Sequence, residues 1–327
     1  MSLRETLREI FYSSDSDYAG YLKKSWDITR QYHGWQINFY APSILKYDVA
    51  GFNSPTAGIF QSVSVTGKEC SLMCEHCKGK LLESMHSATN PEALLDLGKK
   101  LSYRGCRGLL ISGGSNRDGS VPLRPFIDAI RRLHKDLKMK IAVHTGLIDQ
   151  ETATMLKKAG VDSAMLDIIG DRDTIRNIYH LDKTPADFER SLVSLVKAGL
   201  KVSPHIVVGL NKGEIVGELE ALETISRSKV ENIVIVAFKS LEPDSGNQKV
   251  ASPLQIGKLI TAARIINPHK KILLGCARPP GQHKIKTDII SLKAGVNGIA
   301  FPTREAIILS DKLHLNRNFI PYCCSFI

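Results

Sequence analysis

The chain has 327 residues, with 44 Lys and Arg against 33 Asp and Glu, a formal net charge of +11. A chain of this length can bury a large core, its 43% hydrophobic and 24% charged content is that of a globular protein, and no apolar run of about 18 residues marks a membrane-spanning helix, so no membrane is expected. The basic excess suits an acidic partner or nucleic acid, or is a solvated basic surface; the charges are scattered along the sequence with no DNA- or RNA-binding motif, so nucleic acid is not expected as a partner.

Residues 1–10 are charged and amphipathic, without the apolar core of a signal peptide, so a cytoplasmic location is expected. There clustered thiols mean metal or catalysis rather than disulfides. Leu3, Leu7, Ile10 and Phe11, then Tyr18, Leu22 and Trp26, fall at helical spacing. Residues 36–42 read as a short extended segment, and 1–60 as an N-terminal extension packing on the rest of the chain.

Residues 61–66 alternate as a strand, broken by Gly67, and lead directly into Cys70, Cys74 and Cys77 at C-x3-C-x2-C spacing. Three thiols so close in a chain of seven cysteines point to a metal. Zinc usually takes four ligands in a structural site; His76 is within reach in sequence, but a second C-x2-C pair is missing. An iron–sulfur cubane held by three thiolates leaves one iron open to a small molecule.

Strands are expected at 108–112, 140–144, 163–168, 201–208, 233–237, 271–275 and 298–301. Helices separate them, among them 149–159, 171–179, 185–198, 213–227, 253–266 and 284–294. With 61–66 this gives eight alternating units and predicts an α/β, (β/α)8 TIM-type barrel over 61–305, with a short C-terminal tail, 306–327, over the catalytic face. Candidate site residues then sit where strands end. Gly113 and Gly114 permit close backbone approach to a ligand or make a tight turn. His144 ends a strand. Asp167 lies in an apolar one and needs a partner, a ribose hydroxyl or a basic neighbour. His205 faces inward or binds a ligand. Cys276 follows a strand on the rim, and Cys323 and Cys324 stand near the terminus. These last three are read as ligands of a possible second cluster, with Cys276 at the catalytic centre. Cys106 reads as a small buried residue.

The three-cysteine spacing before a β/α pattern resembles the radical S-adenosylmethionine superfamily, with His76 where an aromatic residue is usual. The resemblance implies a 4Fe–4S cluster on Cys70, Cys74 and Cys77 and S-adenosylmethionine as cofactor. It implies that Gly113, Gly114 and Ser115 contact the cofactor's amino group, Ser115 standing where the family has Glu. Residues 183–210 resemble biotin synthase. This implies that Lys183, in place of an Arg, meets the cofactor carboxylate, and that Val207, Val208 and Gly209 support the adenine; His144 and Asp167 join the cofactor-binding set. Ala294-Gly295-Val296-Asn297-Gly298 extends the likeness.

Biotin synthase itself is not expected, because its second-cluster positions fall at Leu110, Ala142, Ser203 and Leu273, and single-chain lipoyl synthase is not expected because no Cys precedes Cys70. Residues 39–42, 112–115, Val121-Pro122-Leu123, 275–279 and the terminal Cys pair are most similar to the two-component lipoyl synthase type. That resemblance implies a 5′-deoxyadenosyl radical, sulfur insertion into an octanoyl chain on a lipoyl-carrier protein or peptide, a paralogous radical partner protein, and an electron donor such as ferredoxin. The alternatives are a single-cluster radical enzyme for rearrangement or cofactor assembly, and a non-enzymatic iron–sulfur or zinc protein.

Overall fold

The computed structural model describes residues 2–42, 47, 58–239, 241 and 249–326. Parts of the expected N-terminal extension, 43–46 and 48–57, and the last residue of the expected tail fall outside them. The strands are β1 (Gln36–Tyr40), β2 (Phe60–Ser64), β3 (His86–Ser87), β4 (Gly108–Ser112), β5 (Lys140–His144), β6 (Ser163–Asp167), β7 (Val202–Val208), β8 (Asn232–Ala237), β9 (Lys271–Leu274), β10 (Gly298–Ala300) and β11 (Asn316–Ile320). The helices are α1 (Leu3–Phe11), α2 (Asp15–His33), α3 (Pro91–Tyr103), α4 (Ile127–Lys135), α5 (Gln150–Lys158), α6 (Arg172–Asn177), α7 (Pro185–Lys197), α8 (Glu218–Arg227), α9 (Pro253–Ile266), α10 (Gln282–Lys293) and α11 (Arg304–Lys312).

All eight expected strands form, and they lie side by side in chain order from β2 and β4 to β10. Every ladder between named strands is parallel. A parallel sheet is covered on both faces, which is why its strands are near-continuous Ile, Leu and Val; Leu109, Ile111, Ile141, Val143, Ile233 and Ile235 are fully buried. The sheet curls as a TIM-type sheet does, and the extension and the tail both enlarge it. β1 pairs with β10 on one side and β11 on the other, for a sheet of 11 strands. Among the described residues no ladder joins β11 to β2 or β3.

Local signals place the helices. Asn90 caps α3, accepting from the Ala93 N–H (2.8 Å), with Pro91 at its first position. A capping box of Thr184 and Asp187 opens α7, and one of Ser252 and Gln255 opens α9. α8 starts at Glu218, later than the pattern predicts, because Lys212, Gly213 and Gly217 take φ of +51°, +83° and +93° and form a turn instead. α2 docks on the segment before β10: Ser25 and Thr29 donate to the carbonyls of Ala294 (2.7 Å) and Gly295 (2.8 Å). A Cβ on Gly295 would lie 2.3 Å from the Thr29 hydroxyl oxygen, so the close approach requires glycine.

The tail goes deeper than a cover over the catalytic face. After β11 it turns inward, and Tyr322 and Phe326 pack against Phe60 with ring centroids 6.2 and 5.6 Å away. The Ser325 carbonyl accepts from Ser163 (2.9 Å) and Ser203 (3.3 Å). The aromatic side chains find apolar partners only inside the curled sheet, which draws the tail there.

Candidate active site

Because the strands are parallel, their C-terminal ends share one face. The loop carrying Cys70, Cys74 and Cys77 leaves β2 on that face and is held from two sides. On the β4 side, Thr66 Oγ1 donates to the Glu69 carbonyl (2.8 Å) and accepts from the Gly114 N–H (2.7 Å), and the Ser71 N–H donates to the Ser115 carbonyl (2.9 Å). A Cβ on Gly114 would stand 2.0 Å from the Glu69 carbonyl oxygen and 2.6 Å from Cys70 Cα. Gly114 is therefore needed for the cluster loop to reach β4. Its N–H being engaged, an ammonium group would meet the glycine carbonyls, whose polarity suits it.

On the other side stands the connection between α6 and α7. The Glu75 N–H donates to the Ile178 carbonyl (2.9 Å), and the Cys74 thiol lies 3.7 Å from the Tyr179 carbonyl oxygen. His180 reaches the Leu72 carbonyl (2.8 Å) and Glu75 (3.2 Å). His76 fills the usual aromatic position as an aromatic would, its ring 5.0 Å from that of Tyr179. The Cys74 and Cys77 thiols hydrogen-bond to each other, which raises Cys74 and lowers Cys77, so one of the pair is readily a thiolate. Among the described residues no group of three or more His, Cys, Asp or Glu side chains is close enough to hold one metal ion. A cubane is wider than an ion, and three soft donors on one loop with an electron-rich thiolate suit it.

Deeper in, β5, β6 and β7 bring His144, Asp167 and His205 together. Burial pushes the Asp167 carboxyl up, and the attraction of His144, whose Nε2 is 3.6 Å away, outweighs it and holds the carboxyl well below the usual range. The Tyr179 hydroxyl donates to Asp167 (3.2 Å). The His205 ring is 6.2 Å from that of His144, and burial lowers it to about 4. The basic neighbour Asp167 was expected to need is thus His144. Gly209 ends the β7 turn at φ +77°, and its N–H donates to Glu218 (2.8 Å). Val207 and Gly209 therefore sit on a turn braced by a buried carboxylate that the sequence pattern did not single out.

Cys276, Cys323 and Cys324 are gathered by β9 and the inward-turning tail. Each of Cys323 and Cys324 feels the other's hydrogen bond, which lowers Cys323 and raises Cys324; Cys276 stands exposed after β9, and desolvation by the surrounding chain, followed by the charge of Cys323, raises its thiol. The Cys276 turn is anchored by Arg278, which donates to the carbonyls of Gly275, Ala300 (2.6 Å) and Phe301 (3.0 Å). Asp288 lies 2.8 Å from it, both fully buried. Cys106 is buried apart from these groups, its thiol 3.2 Å from the Gly108 carbonyl oxygen, as a packing residue should be.

Lys183 lines a cleft of about 870 Å³ with Asn116, Asp118 and Asp187, just past Ser115. The sequence missed Thr66, Tyr179, His180, Glu218 and Arg278. Only the adjacent Tyr179-His180 carried a signal, as polar ring side chains in a helix-to-helix connection.

A three-thiol loop on the C-terminal face of a curled parallel α/β sheet defines a class, the radical S-adenosylmethionine proteins. Over residues 64–224, just under half of its length, the chain matches the family model of the radical SAM superfamily. It is similar to the biotin synthases of Geotalea daltonii (26% identical over 215 residues, 63% of this chain and 62% of that one) and Geobacter metallireducens (25% over 225 residues, 64% and 65%). The matched stretch thus spans less than two thirds of either biotin synthase. In structure it is similar to methylornithine synthase (TM-score 0.64, 14% identity, 97% of both chains) and to HydG, a maturase of the FeFe-hydrogenase (TM-score 0.64, 16% identity, 90% of this chain and 63% of that one). Identities this low bear on the fold alone.

Proposed function

We propose that this chain is a radical S-adenosylmethionine enzyme that inserts sulfur at an unactivated carbon, one component of a two-protein lipoyl synthase acting on an octanoyl chain. What supports the reading is that Cys276, directly after β9, and the tail thiols Cys323 and Cys324, turned into the sheet interior, lie near enough to shift one another's ionisation. Cys70, Cys74 and Cys77 would hold the 4Fe–4S cluster, whose chemistry when bound is the one-electron cleavage of S-adenosylmethionine to a 5′-deoxyadenosyl radical. Cys276, Cys323 and Cys324 would hold a second, sulfur-supplying cluster.

In this reading the chain's own residues position and shield. The carbonyls of Gly113 and Gly114 meet the cofactor ammonium, Asp167 and His144 take a ribose hydroxyl, and Val207 and Gly209 flank the adenine. Lys183 supplies positive charge for the carboxylate, without the bidentate fork of an Arg. The tail fills the lower sheet interior and keeps water from a carbon radical. The partners are an octanoylated carrier protein or peptide, a paralogous radical protein and an electron donor such as ferredoxin.

The test is iron and sulfide analysis after anaerobic reconstitution. Cys323→Ala/Cys324→Ala is preferred to truncation, because the tail aromatics are part of the packing. Iron is expected to fall from about eight to about four per chain in this variant and in Cys276→Ala, with cofactor cleavage retained, as cluster stoichiometry implies. An intact protein that never exceeds one cubane overturns sulfur insertion in favour of a single-cluster radical enzyme. Loss of cofactor cleavage in the intact, loaded protein overturns the radical reading as a whole.

A further inference from the structure

The sequence scatters its basic excess, but the fold gathers it. On the catalytic face the connections are balanced: 66–84 sets Lys68, Lys78 and Lys80 against Glu69, Glu75 and Glu83, and 168–184 sets Arg172, Arg176 and Lys183 against Asp171, Asp173 and Asp182. The face at the strand N-termini is different. Arg104, Arg107, Lys138, Lys140, Lys158 and Lys201 are exposed there. They stand on the connections into β4, β5, β6 and β7, which are neighbours in the sheet. The Lys140 N–H donates to the Arg107 carbonyl (2.9 Å), and the Ala164 N–H to the Lys201 carbonyl (2.8 Å), so these side chains sit on adjacent strands.

Two nearby acids, Asp136 and Asp162, are engaged, and Glu231 is exposed at the entry to β8. Asp136 lies 3.6 Å from Arg132, and Asp162 accepts from the Ile141 N–H (2.7 Å) with His134 3.7 Å away. Basic residues in a last helical turn complement the helix dipole, which accounts for Lys158. Arg107 also donates to the carbonyls of Ser102 (3.4 Å) and Cys106 (3.1 Å), and Lys140 Nζ lies 4.9 Å over the Tyr322 ring; neither this nor the helix dipole accounts for Lys138 and Lys201, which lie beyond the helices. Beside them Tyr103 is 95% exposed. A solvent-exposed ring of this size next to cations is a stacking surface.

We propose that this face binds the phosphate backbone of single-stranded nucleic acid, without sequence preference, on the side away from the catalytic mouth. Protein interfaces are depleted in Lys, whereas a row of Lys and Arg on adjacent strands matches a row of phosphates. The positive charge therefore does not lie where an acidic carrier domain would meet the active site, and the overall +11 is not a guide for that substrate.

The test is fluorescence anisotropy with a labelled mixed-sequence RNA of about 20 nucleotides, between about 50 and 200 mM salt, where backbone binding is salt-sensitive. Neutralising about four phosphates gives a slope of about −3 in log K against log salt on a single strand. Arg107→Glu/Lys138→Glu/Lys201→Glu should weaken binding at least about tenfold and flatten that slope. Lys24→Glu/Lys286→Glu/Arg304→Glu, the same charge change on other faces, should stay within about twofold. Acetylation of the unmodified protein with and without the RNA gives a second measurement, in which Lys138, Lys158 and Lys201 should be protected. Absence of salt-sensitive RNA binding, equal losses in the two variants, or binding of polyglutamate but not RNA, which would mark an acidic protein partner, each overturns the proposal.

Discussion

Replacing Gly114 by Ala puts a methyl carbon 2.0 Å from the Glu69 carbonyl oxygen, where ordinary contact begins at 3.4 Å. The obstruction is backbone, not the end of a flexible side chain, so the cluster loop must retreat by about 1.4 Å, the shortfall in that contact. Three hydrogen bonds resist the retreat: Ser71 N–H to Ser115, Thr66 to Glu69, and Gly114 N–H to Thr66. Loss of two of them at about 1 kcal/mol each, with an overpacking cost of about 1–3 kcal/mol, gives about 3–5 kcal/mol held locally in the loop. A displacement of about 1 Å at a reacting centre costs about a hundredfold in rate. Gly114→Ala should therefore fold with a near-normal circular dichroism spectrum, bind iron poorly at the motif cysteines and cleave S-adenosylmethionine at least about a hundredfold more slowly. Gly113→Ala is the control. Its Cβ would lie 3.1 Å from Thr66 Oγ1 and Val65 Cγ2, which calls for a shift of only a few tenths of an ångström rather than about 1.4 Å, and its activity should fall only a few-fold. If Gly114→Ala loads iron and cleaves the cofactor like the unaltered protein, the close approach of the two backbones is not what seats the cluster.

Burial raises the Glu218 carboxyl from 4.5 to about 7, so the fold favours its protonated form; stability is lost as pH rises from about 4.5 and levels off above about 7. Glu218→Gln should gain on the unaltered protein by about 3 kcal/mol between pH 4 and pH 8 in urea titrations, and a pH-independent difference would count against burial as the cause. Arg264 is fully buried and donates to the carbonyls of Pro268 (3.1 Å) and Lys270 (2.7 Å) and to Asn297 Oδ1. Arg264→Met orphans these acceptors and should cost about 2–4 kcal/mol, read as a lower Tm; an unchanged Tm would show that the network contributes nothing. Cys74→Ala should abolish 5′-deoxyadenosine formation with dithionite, and retained cleavage would remove this cysteine from the cluster. His180→Ala removes the bond to Leu72 and should lower iron content several-fold while leaving the sheet intact, which far-ultraviolet circular dichroism checks.

The alternation of apolar strands with capped helices is local, so the chain alone determines the eight-strand parallel core and puts the three-thiol loop at the end of β2. Gly113, Gly114, His144, Asp167 and Gly209 were legible for the same reason: strand ends can be found from where apolar runs stop. Tertiary structure decided what depends on contacts between distant segments. A five-residue stretch such as 36–40 joins the sheet only because β10 and β11 offer it two unpaired edges. Tyr179 and His180 become clamps for the cluster loop, and His144 the partner of Asp167, across separations that no short pattern encodes. Glu218 braces Gly209 only because the left-handed turn from Lys212 to Gly217 folds the start of α8 back on β7. Charge is the plainest case: composition fixes its total, but parallel strands send every helix-to-strand connection to one face, and only that topology puts the exposed Lys138, Lys158 and Lys201 together on the face away from the catalytic mouth.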